Sequence, residues 1–254
     1  MNYLIAFNGL FWLFVTLTGF IFIQRILHRE FQAFLLILTR NSRITQVIFS
    51  LVFLPGVLLH EISHFIMAKI LAVPTGKFSL IPQARSDGTL RLGYVETATG
   101  GFIRDSLIGV APLAAGCVIV SYVASRQMNV VPLWDLIRNG EWGVFWINLS
   151  SVLNIPGFWL WFYLAFAVSS TMMPSQSDRH AWLPLGILII GLIILAILAG
   201  AGTWMLEKLA PNVNNFMRAL ALIFVMSGAL HIVLTMPLLI LHWILARVTG
   251  MDVK

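Results

Sequence analysis

The chain has 254 residues, of which 59% are hydrophobic and only 10% charged, against roughly a quarter charged in an ordinary soluble domain. With a mean hydropathy of +0.91, these values exclude a soluble enzyme, a disordered linker and a nucleic-acid-binding module, because a water-soluble domain of this size cannot hide so much apolar surface. Sixteen Lys and Arg against ten Asp and Glu give a net charge of +6, but Arg25, Arg29, Arg40, Arg43, Arg104 and Lys208 stand mostly at the ends of apolar runs, where cations meet anionic headgroups.

The expected fold is therefore an all-α polytopic membrane protein, one integral domain over residues 1–254 with about six transmembrane helices. The expected location is a membrane, crossed several times. Residues 3–23 form the first span, read as a retained helix and not as a signal peptide. Residues 24–43 mix arginines with Phe31, Phe34, Leu35 and Leu36 and suit an interfacial or re-entrant segment. Residues 44–72 form the second span, with a kink expected at Pro55-Gly56.

Residues 73–103 are the longest polar stretch. Leu90, Leu92 and Tyr94 alternate with Arg91 and Gly93, the period of a strand. Ser86-Asp87-Gly88 is a turn signal, and Lys77 to Ile81 is a partner strand, so a small β-hairpin is expected between the second and third spans. The third span covers residues 104–124 and contains Pro112. Residues 125–141 read as a mixed loop. The fourth span, 143–173, is broken near Asn154-Ile155-Pro156-Gly157. The fifth, 183–206, is rich in glycine, which suits close helix packing. The sixth, 218–246, holds His231 and His242. The lone Cys117 permits neither an intrachain disulfide nor a cysteine zinc site.

His60-Glu61-Ile62-Ser63-His64 is an H-E-x-x-H motif. On a helix, residues four apart project from nearly the same face, so both imidazoles can reach one metal ion. The intervening glutamate can take a proton from a water activated by zinc. Five residues with three fixed positions make a weak pattern, but its setting strengthens it. A charged side chain inside a span costs at least ~2.5–3.5 kcal/mol on insertion scales, and Glu61 is the one ionisable side chain that clearly falls inside a span. A buried polar cluster joining helices is the bland alternative.

The run Leu58 to Phe65 resembles the zinc-helix motif of the site-2 protease family of intramembrane metalloproteases. Leu92-Gly93-Tyr94-Val95 is similar to the Gly-Tyr-Val strand that follows that helix in the family. Gly109 to Gly116, with Pro112 inside, is similar to its Gly-Pro segment on the third helix. The resemblance covers a core of about residues 50–180. It implies zinc as cofactor, His60 and His64 as ligands, Glu61 as the catalytic base and a transmembrane protein as substrate. It also implies a strand, Leu92, Gly93 and Tyr94 included, that holds an unwound substrate segment by β-addition.

The family's usual third ligand lies in a Leu-Asp-Gly segment that this chain lacks. Asp178 is the nearest substitute. Spans two apart in the chain run parallel, so the second and fourth leave the membrane on one side and bring Asp178 towards the level of His60 and His64. A carboxylate third ligand leaves a fourth position for water. His180 is the alternative ligand and His231 ranks third; Asp178 as the N-cap of the fifth span is the structural alternative. Asn154 either binds substrate backbone or the oxyanion, or satisfies carbonyls freed by Pro156.

The expected function is an intramembrane zinc endopeptidase, with a catalytically inactive relative that binds or escorts membrane proteins as the alternative. A transporter is disfavoured by the lack of repeats, and a di-iron oxygenase by only six histidines. Nearby positive charge ties between the two membrane faces, which leaves the orientation open. Substrate and lipid bilayer are the expected partners; nucleic acid is not, and the oligomeric state is open.

Overall fold

The computed structural model describes residues 8–79, 83–84, 90–91 and 93–251. Helix α1 spans Asn8–Thr39 and α2 spans Ser42–Ile70. They form an antiparallel hairpin about Arg40, which adopts φ 51°. Asn41 caps α2, its Oδ1 accepting from the backbone N–H groups of Arg43 and Ile44, which satisfies two of the donors a helix start leaves unpaired. Within the segment expected to be interfacial or re-entrant, 24–43, α1 runs unbroken to Thr39. Its glutamate is tolerated because a neighbouring helix supplies a partner. Glu30 accepts from Arg29 and faces His242 Nδ1 at 2.6 Å. Helix α2 likewise continues through Pro55-Gly56 as one helix.

The polar stretch folds as antiparallel pairs. Strand β1 (Thr75–Ser79) pairs with β4 (Tyr94–Thr97), Phe78 opposite Val95 and Ser79 opposite Tyr94. Strand β2 (Gln83–Ala84) pairs with β3 (Leu90–Arg91). The turn expected at Ser86-Asp87-Gly88 falls within residues 85–89. Those residues lie outside the described ones, as does Leu92.

Helix α3 (Phe102–Tyr122) continues in a π-helical turn, Val123–Gln127. The expected loop that follows contains a helix, α4 (Val131–Asn139), with proline at its start and Gly140 in the left-handed conformation at its end, the usual proline-in, glycine-out pattern. Helices α5 (Trp142–Leu153) and α6 (Phe158–Thr171) replace the fourth span and meet at 95°. The bend falls on Pro156-Gly157, where Gly157 has φ 77°. Helix α7 (Trp182–Ala196) and helix α8 (Ala210–Thr249) are joined by π-helical turns. Gly200, φ 88°, breaks that joint.

Four helical segments are long and apolar enough to cross a membrane: Asn8–Thr39, Ser42–Ile70, Phe102–Gln127 and Trp182–Thr249. The α5–α6 pair makes a fifth if it counts as one span. The last segment has 68 residues, about 100 Å of helix, more than three times the ~30 Å hydrocarbon core. It takes in the expected fifth and sixth spans. The architecture is that of a multi-pass membrane protein with a small β-hairpin.

The packing order positions the site. Helix α6 runs parallel to α2: Tyr163 donates to the Val52 carbonyl, Gly56 lies against Ala167, and His60 meets Thr171. Helix α8 runs parallel to α1, with Gly9 bonded to Asn214, Phe20 against Phe224 and Glu30 against His242. Leu27, Leu35, Phe49, Phe53, Val57 and Phe166 form one apolar cluster across α1, α2 and α6.

Candidate metal centre

His60 and His64 stand one turn apart on α2, and their Nε2 atoms are 3.1 Å from each other. Each ring is fixed from behind. His60 Nδ1 lies 2.7 Å from the Thr171 carbonyl oxygen at the end of α6, and His64 Nδ1 lies 2.9 Å from that of Ile108 on α3. A carbonyl only accepts, so both Nδ1 atoms carry a proton, and in the neutral imidazoles both Nε2 atoms then present a lone pair. Two lone pairs facing at this distance need either a metal ion between them or a proton on one of them. Fixing the imidazole through its far nitrogen is how metal-ligating histidines are held.

Asp178 completes the group. Its Oδ1 is 3.4 Å from His64 Nε2 and its Oδ2 is 3.7 Å from His60 Nε2. The ligand atoms of the three residues all lie within 4.8 Å of one another. Ligands of a tetrahedral zinc, each ~2.0–2.1 Å from the ion, are about 3.3 Å apart, so the cluster has the size and donor chemistry to hold a metal ion. Among the described residues no other group of three His, Cys, Asp or Glu does so.

Asp178 reaches the histidines through a turn, not a helix cap. The Ser175 N–H donates to Asp178 Oδ2 at 2.6 Å. Helix α7 begins only at Trp182, with Ala181 at its cap and no side-chain capping bond. The turn rests on α3 at Gly109, where any Cβ would run into the Asp178 carbonyl oxygen. Gly116, one further stretch along α3, similarly admits Met172. The small residues around Pro112 thus allow the chain after α6 to lie against α3. Burial pushes the Asp178 carboxyl up; where a proton rather than a metal sits on the facing imidazole nitrogens, their hydrogen bonds and that of the Ser175 N–H outweigh it and hold the group below the usual carboxylate range.

Glu61 is buried, 7% exposed, beside the two histidines. Strand β4 is preceded by Gly93, which packs on Glu61: a Cβ there would lie 3.0 Å from Glu61 Cγ and from Val57 Cγ1. Glu61, His60, His64, Asp178, Gly93 and Tyr94 line one cavity of about 1270 Å³. It continues past Phe53 and Phe49 to Ser42 at the α1–α2 turn.

The remaining candidates fall elsewhere. His180 does not join the ligand cluster; its Nδ1 donates to the Ser177 carbonyl at 2.6 Å and its Nε2 is 3.7 Å from Asp105 Oδ2. Asn154 sits at the exposed end of α5, where it donates to the Ser150 carbonyl, and it is not among the residues that line the cavity. A carbonyl in the last turn of α5 takes its amide, that of Ser150 and not one freed by Pro156, and nothing in the structure places Asn154 against a substrate. His231 is fully buried and bonded to Ser170 and Ser227, and His242 pairs with Glu30.

Sequence reasoning missed the two carbonyls that orient the imidazoles, since backbone acceptors carry no residue signature. It also missed Glu30, buried at 7% exposure, so Glu61 is not alone as a buried carboxylate within a long helix. Its signal was present: an acidic residue framed by Leu27 and Ala33 at helical spacing. Compared with known proteins, the chain matches no family model, no curated protein and no solved structure.

Proposed function

We propose that this chain is an intramembrane zinc metalloprotease of the site-2 protease kind, acting on membrane-embedded protein substrates. The observation that carries the reading is the His60–His64–Asp178 cluster with the buried Glu61 beside it. Two neutral imidazoles and one carboxylate form a donor set suited to zinc, with room for one further ligand. Bound zinc would supply Lewis acidity, polarising a peptide carbonyl and making water acidic enough to deprotonate near neutral pH.

The chain's own groups do the rest. Glu61 takes the proton of the attacking water and delivers it to the leaving amine. Thr171 and Ile108 keep the Nε2 lone pairs of His60 and His64 aimed inward through the Nδ1–H bonds. Burial of Glu61 strengthens its electrostatic effect. Tyr94 to Thr97 form the strand next to the cluster and line the cavity; they are placed to align an extended substrate segment.

The test is purified full-length protein in proteoliposomes with a panel of single-span membrane proteins. Wild type should bind one zinc and cleave at least one of them; Glu61→Gln should keep zinc and lose cleavage. Cleavage by Glu61→Gln at the wild-type rate overturns the mechanism. Zinc binding with capture of single-span proteins but no cleavage would support the alternative, an inactive relative that binds or escorts membrane proteins. The absence of a Leu-Asp-Gly segment favours that alternative; the intact donor set favours the enzyme.

A further inference from the structure

Helices α1 and α8 supply none of the three ligand residues, yet both grip the segment that orients one of them. The last turn of a helix ends in carbonyls without intrahelical partners. At the end of α6 two consecutive carbonyls are taken by side chains from other helices. Thr171 O accepts from His60 Nδ1 at 2.7 Å, and Ser170 O accepts from Gln24 Nε2 of α1 at 2.6 Å. A third bond holds the same turn. Ser170 Oγ is 3.0 Å from His231 Nε2 of α8, while His231 Nδ1 lies 2.8 Å from the Ser227 carbonyl. That carbonyl fixes the proton on Nδ1, so Ser170 donates its hydroxyl to His231 Nε2.

His231 has no freedom to turn away. It is fully buried, with its ring 5.2 Å from Phe20 on one side and 5.2 Å from Phe166 on the other, measured between centroids. Ser170 and Ser227 are also buried. Rotation of the last turn of α6 would swing the Thr171 carbonyl out of line with His60 Nδ1. Gln24 and His231 both resist that rotation from the residue next to Thr171.

We propose that Gln24 and His231 are positioning residues for the metal centre, acting through Ser170 and Thr171 on the tautomer and aim of His60. The inference rests on the metal reading of His60, His64 and Asp178, but not on protease activity. It predicts that the metal responds to substitutions in helices that never touch it.

The experiment titrates Co²⁺ into full-length protein in detergent micelles and follows the visible ligand-field absorption, alongside thermal unfolding of the metal-free protein. Gln24→Met preserves length without the donor, and is expected to weaken Co²⁺ binding about tenfold, the lower end for outer-shell changes. It should also shift the absorption bands. His231→Phe keeps the ring among Phe20 and Phe166 and should behave alike. His231→Gln restores an acceptor for Ser170 Oγ and should recover most of the affinity. Wild-type affinity and spectrum in Gln24→Met and His231→Phe overturn the inference. Affinity losses that merely follow the unfolding temperature across all variants, His231→Gln included, overturn it as well. Wild-type protein that takes up no Co²⁺ overturns the metal reading itself and the inference with it.

Discussion

Helices α2 and α7 are both apolar enough to lie in a bilayer, yet they are used in opposite ways. Helix α2 buries ten residues, among them Gly56, Glu61, Ser63 and His64. Helix α7, an almost continuous run of Leu, Ile and Gly, buries none among its 15 residues. The more hydrophobic helix is the less packed one. In lipid, apolar surface gains nothing by leaving its surroundings, so association depends on close backbone approach and on polar groups that need partners. Helix α2 has both: Gly56 brings it against the backbone of α6, and its histidines bond to carbonyls of α6 and α3. The glycines of α7 at 186 and 191 meet nothing within 4 Å, so glycine content by itself does not mark a contact face.

The sharpest break in this contrast is expected at the ligands. His60→Ala, His64→Ala and Asp178→Ala should each abolish stoichiometric metal in purified protein, measured by elemental analysis, while His180→Ala retains it. Retention in Asp178→Ala together with loss in His180→Ala would reassign the third ligand. Next comes the backbone contact. Gly56→Leu forces a side chain into Ala167 and Thr171 of α6 and should destabilise the protein by about 3 kcal/mol, read from unfolding in mixed micelles.

A smaller and more selective effect is expected at Gly109. Gly109→Ala pushes the Asp178 turn off α3 and should lower metal affinity about 10–100-fold, with a lesser change in unfolding temperature. The Glu30–His242 pair, which joins α1 to α8 at 2.6 Å, tests whether polar glue acts away from the site. Glu30→Leu should cost about 1–3 kcal/mol by leaving the half-buried His242 Nδ1 without an acceptor, and metal content should stay at the wild-type level. The smallest effect belongs to α7: Ile190→Ala, at a position 59% exposed, should stay within about 0.5 kcal/mol. A cost of several kcal/mol there would show that α7 packs against something other than lipid.

Much of the site was legible because charge is scarce in this chain. Glu61 between two histidines at helical spacing is conspicuous in an apolar run, and period-two alternation near Leu90 exposed the hairpin. Asp178 was reachable as the nearest substitute for the third-ligand segment of the family the chain resembles, with parity in support, since α2 and α6 run the same way. Parallel spans share a membrane level but need not be neighbours. Glu30 escaped because its segment carries several charges and so resembled an interface. A partner 212 residues away makes that charge tolerable inside α1, and hydropathy along the chain carries no trace of it. Asn154 went the other way: an amide in an apolar segment suggested chemistry, but the nearest helix-end carbonyl satisfies it.

Composition and periodicity by themselves determined the membrane class, most of the apolar helical segments, the paired imidazoles on one helix face and the antiparallel strands between α2 and α3. Each follows from spacings of a few residues, and helix and strand geometry convert those directly into faces. Only the tertiary structure decided that Gly109 lets Asp178 approach the histidines, that Thr171 and Ile108 fix their tautomers, and that α1 and α8 close on α6. Those choices depend on which helices are neighbours. In a bilayer that is settled by a few close backbone contacts and buried hydrogen bonds between residues far apart in the chain, not by the hydrophobicity that all these helices share.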